Sequence, residues 1–514
     1  MVHQPIGDSC TTIAGHSRSA VSQTRCSTGI SGLDDILQGG LPRGHLFLFE
    51  GEPGTGKTTL GLHFLLAGLA VGESGLYVTL SETAAELKDV AKSHGWDLDE
   101  AGLEVFELVS PEQLSPEAEQ SIIHPAELEL SQTVQGVMAR VEAKRPVRVV
   151  FDSLSEMRLL AQDPLRYRRQ VLALKHFFSR NNCTVLMLDD LSASVGDMQL
   201  RSIAHGVVWL QQMVGQYGAD KRYLRVAKMR GISFRSGEHD FVLKTGGVEV
   251  FPRLIAAEHH APFKPENVST GNDALDVALG GGLARGSNTL FMGPSGVGKT
   301  TTAIACIHAM LRRGEKAAYY LFDEGRGTLL PRAKALGYDL AEDLENGQLQ
   351  LEALDPAEVT AGEFTARVRK SVEVDGVRAV VIDSLNAYLQ AMPGSKFLIL
   401  QMHELLSYLN QRGVMTILVL GQHGILGQGR MDIDLSYLSD SVVLFRFFEA
   451  RGNLLKAISI TKSRLNQHAS SIHEFRVGAQ GVEVGAALTD FEGVVVGVGR
   501  YTGDVALLSD SDPK

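Results

Sequence analysis

Gly51-Glu52-Pro53-Gly54-Thr55-Gly56-Lys57-Thr58 reads G-x-x-x-x-G-K-T, and so does Gly293-Pro294-Ser295-Gly296-Val297-Gly298-Lys299-Thr300. Each follows a short apolar run, His45 to Glu50 or Asn288 to Met292, and each leads into a helix-like segment. Strand, glycine-rich loop and helix in that order form the context a phosphate-binding loop requires. The glycines let successive backbone N–H groups turn inward around a β- and γ-phosphate, and the helix N-terminus adds partial positive charge there. Lys57 and Lys299 are expected to reach the phosphates, while Thr58 and Thr300 place hydroxyls on Mg²⁺. The binding set expected in the first loop is Gly51, Gly54, Thr55, Gly56, Lys57, Thr58 and Thr59. In the second it is Gly293, Ser295, Gly296, Val297, Gly298, Lys299, Thr300 and Thr301. The implied ligands are ATP and Mg²⁺. A single match can arise by chance in a long chain; two in matching surroundings make chance negligible.

Working outward, the chain repeats itself. Ser27-Thr28-Gly29, Leu33-Asp34, Gly39-Gly40-Leu41 and Arg43-Gly44 precede the first loop. At a constant offset of 242, Ser269-Thr270-Gly271, Leu275-Asp276, Gly281-Gly282-Leu283 and Arg285-Gly286 precede the second. The register holds as far as Ser81-Glu82 against Asp323-Glu324, then shifts to 231 at Asp152 and Asp383 and to 234 at Lys228 and Lys462. This is an internal duplication with indels in the intervening loops. Short β-branched runs, Thr184 to Leu188 and Thr416 to Leu420, alternate with longer amphipathic segments. The pattern predicts two tandem phosphate-loop domains of α/β class, each a mostly parallel sheet with helices on both faces. The expected division is a disordered tail at 1–23, a first domain at 24–260, a second at 261–500 and a short acidic tail at 501–514.

Length and composition agree with this. At 514 residues the chain can hold two cores, and 44% apolar with 21% charged residues is ordinary for a globular protein. A net charge of −11 argues against a protein that lives on nucleic acid or anionic membrane. The four cysteines, Cys10, Cys26, Cys183 and Cys306, match no zinc or disulfide spacing and suit a reducing cytoplasm. The polar start shows no apolar signal segment, and no run of ~18 apolar residues predicts a membrane span. The expected location is cytoplasmic.

Several repeated residues are candidates for chemistry. Asp152 and Asp383 each end an apolar run and precede Ser-Leu; a carboxylate there can hold the water shell of Mg²⁺, or simply close a strand-end turn. After the second strand stand Ser81-Glu82 and Asp323-Glu324. An attacking water or hydroxyl needs a base within hydrogen-bond reach of the γ-phosphate. Glu82, Asp323 and Glu324 fit that need, whereas Ser81 and Asp323 also fit helix N-caps. Lys228-Met229-Arg230 and Lys462-Ser463-Arg464 come late in each half. They read as cation pairs offered across a subunit interface to a neighbour's γ-phosphate, or as solvated surface.

Taken together these residues resemble the KaiC family of circadian-clock ATPases, over roughly residues 24–500, which implies two RecA-like P-loop NTPase domains in tandem. The resemblance rests on Ser-Thr-Gly-x-x-x-Leu-Asp before each loop, the paired loops, acids and aspartates, and both Lys-x-Arg elements. It implies a homohexamer of two stacked rings with ATP clamped between subunits, and a KaiB-like protein partner. It also implies a slow ATPase in the N-terminal ring and a C-terminal ring that phosphorylates and dephosphorylates itself. The family's adjacent Ser-Thr acceptors fall on Ser436 and Tyr437, so Ser436 is the expected phosphoacceptor and Tyr437 replaces the threonine. Arg201 holds the corresponding place in the first half, where Ser81 also departs from the family's acid pair. The C-terminal tail is shorter than in clock members, where it docks the partner that stimulates the kinase. The readings in competition are an ATPase and autokinase, a nucleotide-gated binding ring, and a RecA-like enzyme acting on DNA. The last needs a basic, aromatic-bearing groove, which the net charge and two Trp do not favour.

Overall fold

The computed structural model describes residues 25–108, 125–161, 163–191, 198–215, 218–390, 395–422, 436–450, 452–489, 491–492, 494 and 500–501. The tail expected at 1–23 and the residues beyond 501 lie outside them. The chain divides into two compact units, the first ending at Arg253 and the second starting at Leu254, with the short segment Gly215–Ala219 grouped with the second.

The first unit is built on nine strands: β1 (Leu46–Gly51), β2 (Gly75–Thr79), β3 (Glu104–Glu107), β4 (Arg148–Asp152), β5 (Thr184–Asp190), β6 (Gly206–Met213), β7 (Lys221–Met229), β8 (His239–Lys244) and β9 (Gly247–Phe251). Their order across the sheet is β3-β2-β4-β5-β1-β6-β7-β8-β9. Neighbours from β3 to β6 run parallel, and those from β6 to β9 antiparallel. The second unit repeats this with β10 (Asn288–Gly293), β11 (Ala317–Leu321), β12 (Leu349–Ala353), β13 (Ala379–Asp383), β14 (Met415–Gly421), β15 (Ser441–Ala450), β16 (Asn453–Ser463), β17 (Ile472–Gly478) and β18 (Gly481–Ala487). Its order is β12-β11-β13-β14-β10-β15-β16-β17-β18, again parallel as far as β15 and antiparallel beyond. The expected mostly parallel α/β class with two tandem RecA-like domains is the fold observed.

Side chains on a strand alternate between faces, and the cores follow that rule. Phe47 and Phe49 of β1 join one apolar cluster while Leu46 and Leu48 join the cluster on the other face. Val381 of β13 likewise faces away from Val380 and Ile382. Both faces are covered, so the central strands read as continuous apolar runs.

The repeated Ser-Thr before each loop is explained locally. Ser27 Oγ and Thr28 Oγ1 donate to the Asp34 carboxylate at 2.6 and 2.8 Å, and Ser269 and Thr270 do the same to Asp276 at 2.5 and 2.7 Å. Arg43 then pairs with Glu73, and Arg285 with Glu315. Four helices frame the loops: α1 (Lys57–Ala70), α2 (Ala84–Ser93), α3 (Lys299–Arg312) and α4 (Arg326–Ala335). The N-cap of α2 is Thr83, closed by a capping box with Glu86, and that of α4 is Gly325. Ser81 and Asp323 therefore cap neither helix.

Two candidate nucleotide sites

Both loops lie at the C-terminal edge of the parallel strands, where α/β sheets take their ligands. Each tightens at a glycine before its helix: Gly56 has φ 92° and Gly298 φ 120°. A Cβ at Gly56 would meet Leu243 Cδ2 at 2.8 Å, and one at Gly298 would meet Phe475 Cε1 at 2.7 Å. Positive φ and crowding together require glycine at both positions. Lys57 Nζ donates to Gly51 O at 2.8 Å and Glu52 O at 2.9 Å, and Lys299 Nζ to Gly293 O and Pro294 O at 2.8 Å. Burial holds Lys299 below the usual ammonium range, opposed by Asp383 and Asp323. Val297 is fully buried in the core and Thr59 Oγ1 meets His94 Nε2 at 3.3 Å. Val297 can therefore contribute only backbone to the site.

At the ends of β4 and β13 stand Asp152 and Asp383, each followed by a cis peptide to serine. Thr58 Oγ1 donates to Asp152 Oδ2 at 3.1 Å and Tyr77 to the same oxygen at 2.6 Å; Tyr319 donates to Asp383 Oδ2 at 2.8 Å. Burial pushes both carboxyls up, opposed first by the tyrosine and then by the threonine hydrogen bond. Among the described residues no group of three or more His, Cys, Asp or Glu could hold a metal ion by itself. A threonine hydroxyl beside one carboxylate instead fits a hard cation that takes its remaining oxygens from water and phosphate. The donor sets Thr58–Asp152 and Thr300–Asp383 are of that kind.

The acidic residues after β2 and β11 differ between the units. Glu82 is half-buried, and its Oε2 has no hydrogen-bond partner among the described residues. Burial raises its carboxyl, helped by the charges of Asp152 and Glu86. In the second unit Glu324 forms an ion pair with Arg332 of α4, and Asp323 accepts a hydrogen bond from Ser384. Ser295, Gly296, Gly298, Lys299, Thr300, Thr301, Asp323, Glu324 and Asp383 all line one open cleft of about 580 Å³, joined by Arg332, Asn386 and Gln422.

Sequence alone singled out neither Arg332, nor Tyr77 and Tyr319, nor Asp190, whose Oδ1 lies 2.9 Å from Lys57 Nζ. The offset of 242 places Val90 against Arg332, a difference that was available as a signal.

The Lys-x-Arg cations do not join the loop of their own unit. Lys228 pairs with Val207, which lies opposite Leu48 of β1, and Lys462 pairs with Val442, opposite Leu290 of β10. At ~3.3 Å per residue both are roughly 10 Å short of the loop. Lys228 Nζ instead donates to Arg201 O at 2.6 Å and Ala204 O at 2.9 Å, and Lys462 Nζ to Ser439 O at 2.7 Å. Arg230 reaches Ser202 O at 3.1 Å, and Arg464 lies 3.8 Å from Asp440. Ser436 opens a 3₁₀ turn, Ser436–Leu438, and its side chain is outside the described residues. The turn leads to Asp440, whose N–H donates to Asn288 O at 2.8 Å, at the end of β10 remote from the loop. Arg201, at the corresponding place, pairs with Glu50 at 2.9 Å.

A family model described as the KaiC ATPase matches residues 26–255 and again 268–489. The chain is 25% identical over 486 residues to the circadian clock protein KaiC3 of Synechocystis sp., covering 93% of this chain and 95% of that one. It is 25% identical over 527 residues to the circadian clock oscillator protein KaiC of Acaryochloris marina, at 96% and 97% coverage. It is 26% identical over 484 residues to the corresponding protein of Synechococcus elongatus, covering 91% of each. With both halves matched, each around its own phosphate loop, the chain belongs to the KaiC family of ATPases.

Proposed function

We propose that this protein binds and hydrolyses Mg·ATP in both units and transfers phosphate to its own Ser436 in the second, its nucleotide and phosphorylation state serving as a signal to a KaiB-like partner. The observation that carries this reading is the convergence of Lys299, Thr300, Asp323, Glu324 and Asp383 on one cleft. Lys57 and Lys299 hold phosphate oxygens, and Thr58 with Asp152 and Thr300 with Asp383 hold the cation. Bound Mg²⁺ would neutralise charge developing on the phosphates. Glu82 in the first unit takes the proton of an attacking water. Asp323 and Glu324 take that of water or of the acceptor hydroxyl in the second.

Assembly belongs to the same proposal. Lys228, Arg230, Lys462 and Arg464 lie away from their own loops, which supports their acting on a neighbour's γ-phosphate in a homohexameric double ring. The turn holding Ser436 lies some five strand residues from its own loop, roughly 16 Å at ~3.3 Å each, so transfer to Ser436 would run between subunits. The relatives are circadian clock proteins by name, and a cytoplasmic clock-type role is the extension proposed here. No helix of the described residues is long and apolar enough to cross a membrane.

One observation favours a second reading, a nucleotide-gated ring without kinase activity: Glu324, half of the proposed base, is neutralised by Arg332. Incubation of the full chain with labelled Mg·ATP and phosphopeptide mapping separates the two. Phosphate on Ser436, lost in Ser436→Ala and absent from Tyr437, is the expected result. Phosphate undiminished in Ser436→Ala would overturn the acceptor, and none anywhere would favour the binding ring.

A further inference from the structure

Lys57 and Lys299 hold equivalent places in the two loops, yet their ammonium groups are met differently. Lys57 Nζ faces Gly51 O at 2.8 Å, Glu52 O at 2.9 Å and Asp190 Oδ1 at 2.9 Å. An ammonium has three donors, so these acceptors account for all of them. Lys299 Nζ meets Gly293 O and Pro294 O, both at 2.8 Å, and forms no ion pair among the described residues. The difference traces to one position. Val185 lies opposite Leu46 and Thr416 opposite Asn288 in the parallel ladders, so Asp190 at the end of β5 corresponds to Gly421 at the end of β14.

Asp190 is held in place from its other side. Its N–H donates to Ser155 Oγ at 3.1 Å, and that hydroxyl lies 3.4 Å from Asp190 Oδ2. In the second unit the equivalent backbone N–H, of Gly421, donates to Asn386 Oδ1 at 2.6 Å, so the support is present there without the carboxylate.

We propose that Asp190 competes with nucleotide phosphate for the Lys57 ammonium, making the first site a weaker binder than its loop alone would be and setting it apart from the second. This rests on reading both loops as nucleotide sites. A phosphate oxygen approaching Lys57 meets an occupied donor and the repulsion of a carboxylate anion. The Asp190 side chain is 43% exposed, so water screens the pair and keeps it displaceable. The competition therefore tunes affinity and does not abolish it. The position can also be tested in reverse. Gly421 has no positive φ, a Cβ there would meet Asn386 Oδ1 at 3.4 Å, ordinary van der Waals contact, and the residue lines the open cleft, so backbone and Cβ accept an aspartate there.

The test is titration of a fluorescent ATP analogue with Mg²⁺ into the full chain carrying Lys299→Ala, which leaves the first site as the binder. Asp190→Gly and Asp190→Asn should each tighten binding by roughly five- to tenfold, the size expected for a part-exposed ion pair together with the like charge removed. Conversely, Gly421→Asp in a Lys57→Ala background should weaken binding at the second site by a similar factor. Unchanged or weaker binding in both Asp190 variants would overturn the proposal, as would an unaffected second site in Gly421→Asp. Failure of the Lys299→Ala parent to bind any analogue would overturn the nucleotide reading of the first loop itself, a result distinct from binding that ignores Asp190.

Discussion

Tyr77 and Asp152, 75 positions apart in the chain, meet in a 2.6 Å hydrogen bond from the phenol to Oδ2, the oxygen that Thr58 also reaches. The parallel ladder that sets Tyr77 opposite Val150 and Thr79 opposite Asp152 makes the meeting possible. The phenol thereby orients the carboxylate proposed to hold the cation and opposes the upward push of burial on its pKa.

Tyr77→Phe removes that donor and leaves a buried carboxylate under-satisfied. The variant should lose about 1–3 kcal/mol of stability, measured by chemical denaturation. Asp152 must be ionised to hold a cation, so first-site turnover is present above its pKa and lost as pH falls through it. Losing the phenol raises that pKa further, and the acid limb of turnover should move to higher pH. A stable variant with an unmoved pH profile would count against the role given to Asp152.

Glu82→Gln, in the Lys299→Ala background, should slow hydrolysis at the first site by roughly 10²–10⁴-fold. Burial raises the Glu82 carboxyl, with Asp152 and Glu86 adding to it. The base works only when ionised, so turnover should decline with acidification already above the usual carboxylate range, and the glutamine variant should lack that limb. Phosphate release measured across pH checks both. Ser81→Glu should raise the rate by restoring a second acid.

Arg332→Ala releases Glu324 from its ion pair. The freed carboxylate can then turn toward the attacking water, and second-site turnover should rise several-fold in a Lys57→Ala background. An unchanged rate would show that Arg332 does not restrain the base, and a lower one that it serves the phosphate.

ATP should drive the chain into a hexamer, read by light scattering. Lys57→Ala should weaken assembly more than Lys299→Ala if the first ring is the platform, and Lys228→Ala with Arg230→Ala should weaken it with the first loop intact. A monomer in excess ATP would defeat the double-ring proposal.

The sequence by itself determined the architecture. Two G-x-x-x-x-G-K-T loops at a constant offset, each between an apolar run and a helical segment, required two copies of one α/β unit. The unbroken apolar runs ending in Asp152 and Asp383 identified parallel strands buried on both faces. The α2 cap is a different case: Ser81 fits an N-cap by residue type, but the cap is Thr83, whose Thr83-Ala84-Ala85-Glu86 capping-box pattern stands in the sequence and was passed over. What lies beside each loop was not legible. Lys57 and Asp190 stand more than 130 positions apart, and only the order β4-β5-β1 carries the end of β5 to the phosphate loop. Arg332, about two turns into α4, reaches back past the N-cap Gly325 to Glu324 and the cleft, a contact set by the direction the helix takes from the strand end. Lys228 and Lys462 end up remote from their own loops because β7 and β16 run antiparallel to the strands before them. Local sequence sets which segments become strands and where they end; strand order and direction, which depend on long-range packing, decide which charged ends come together.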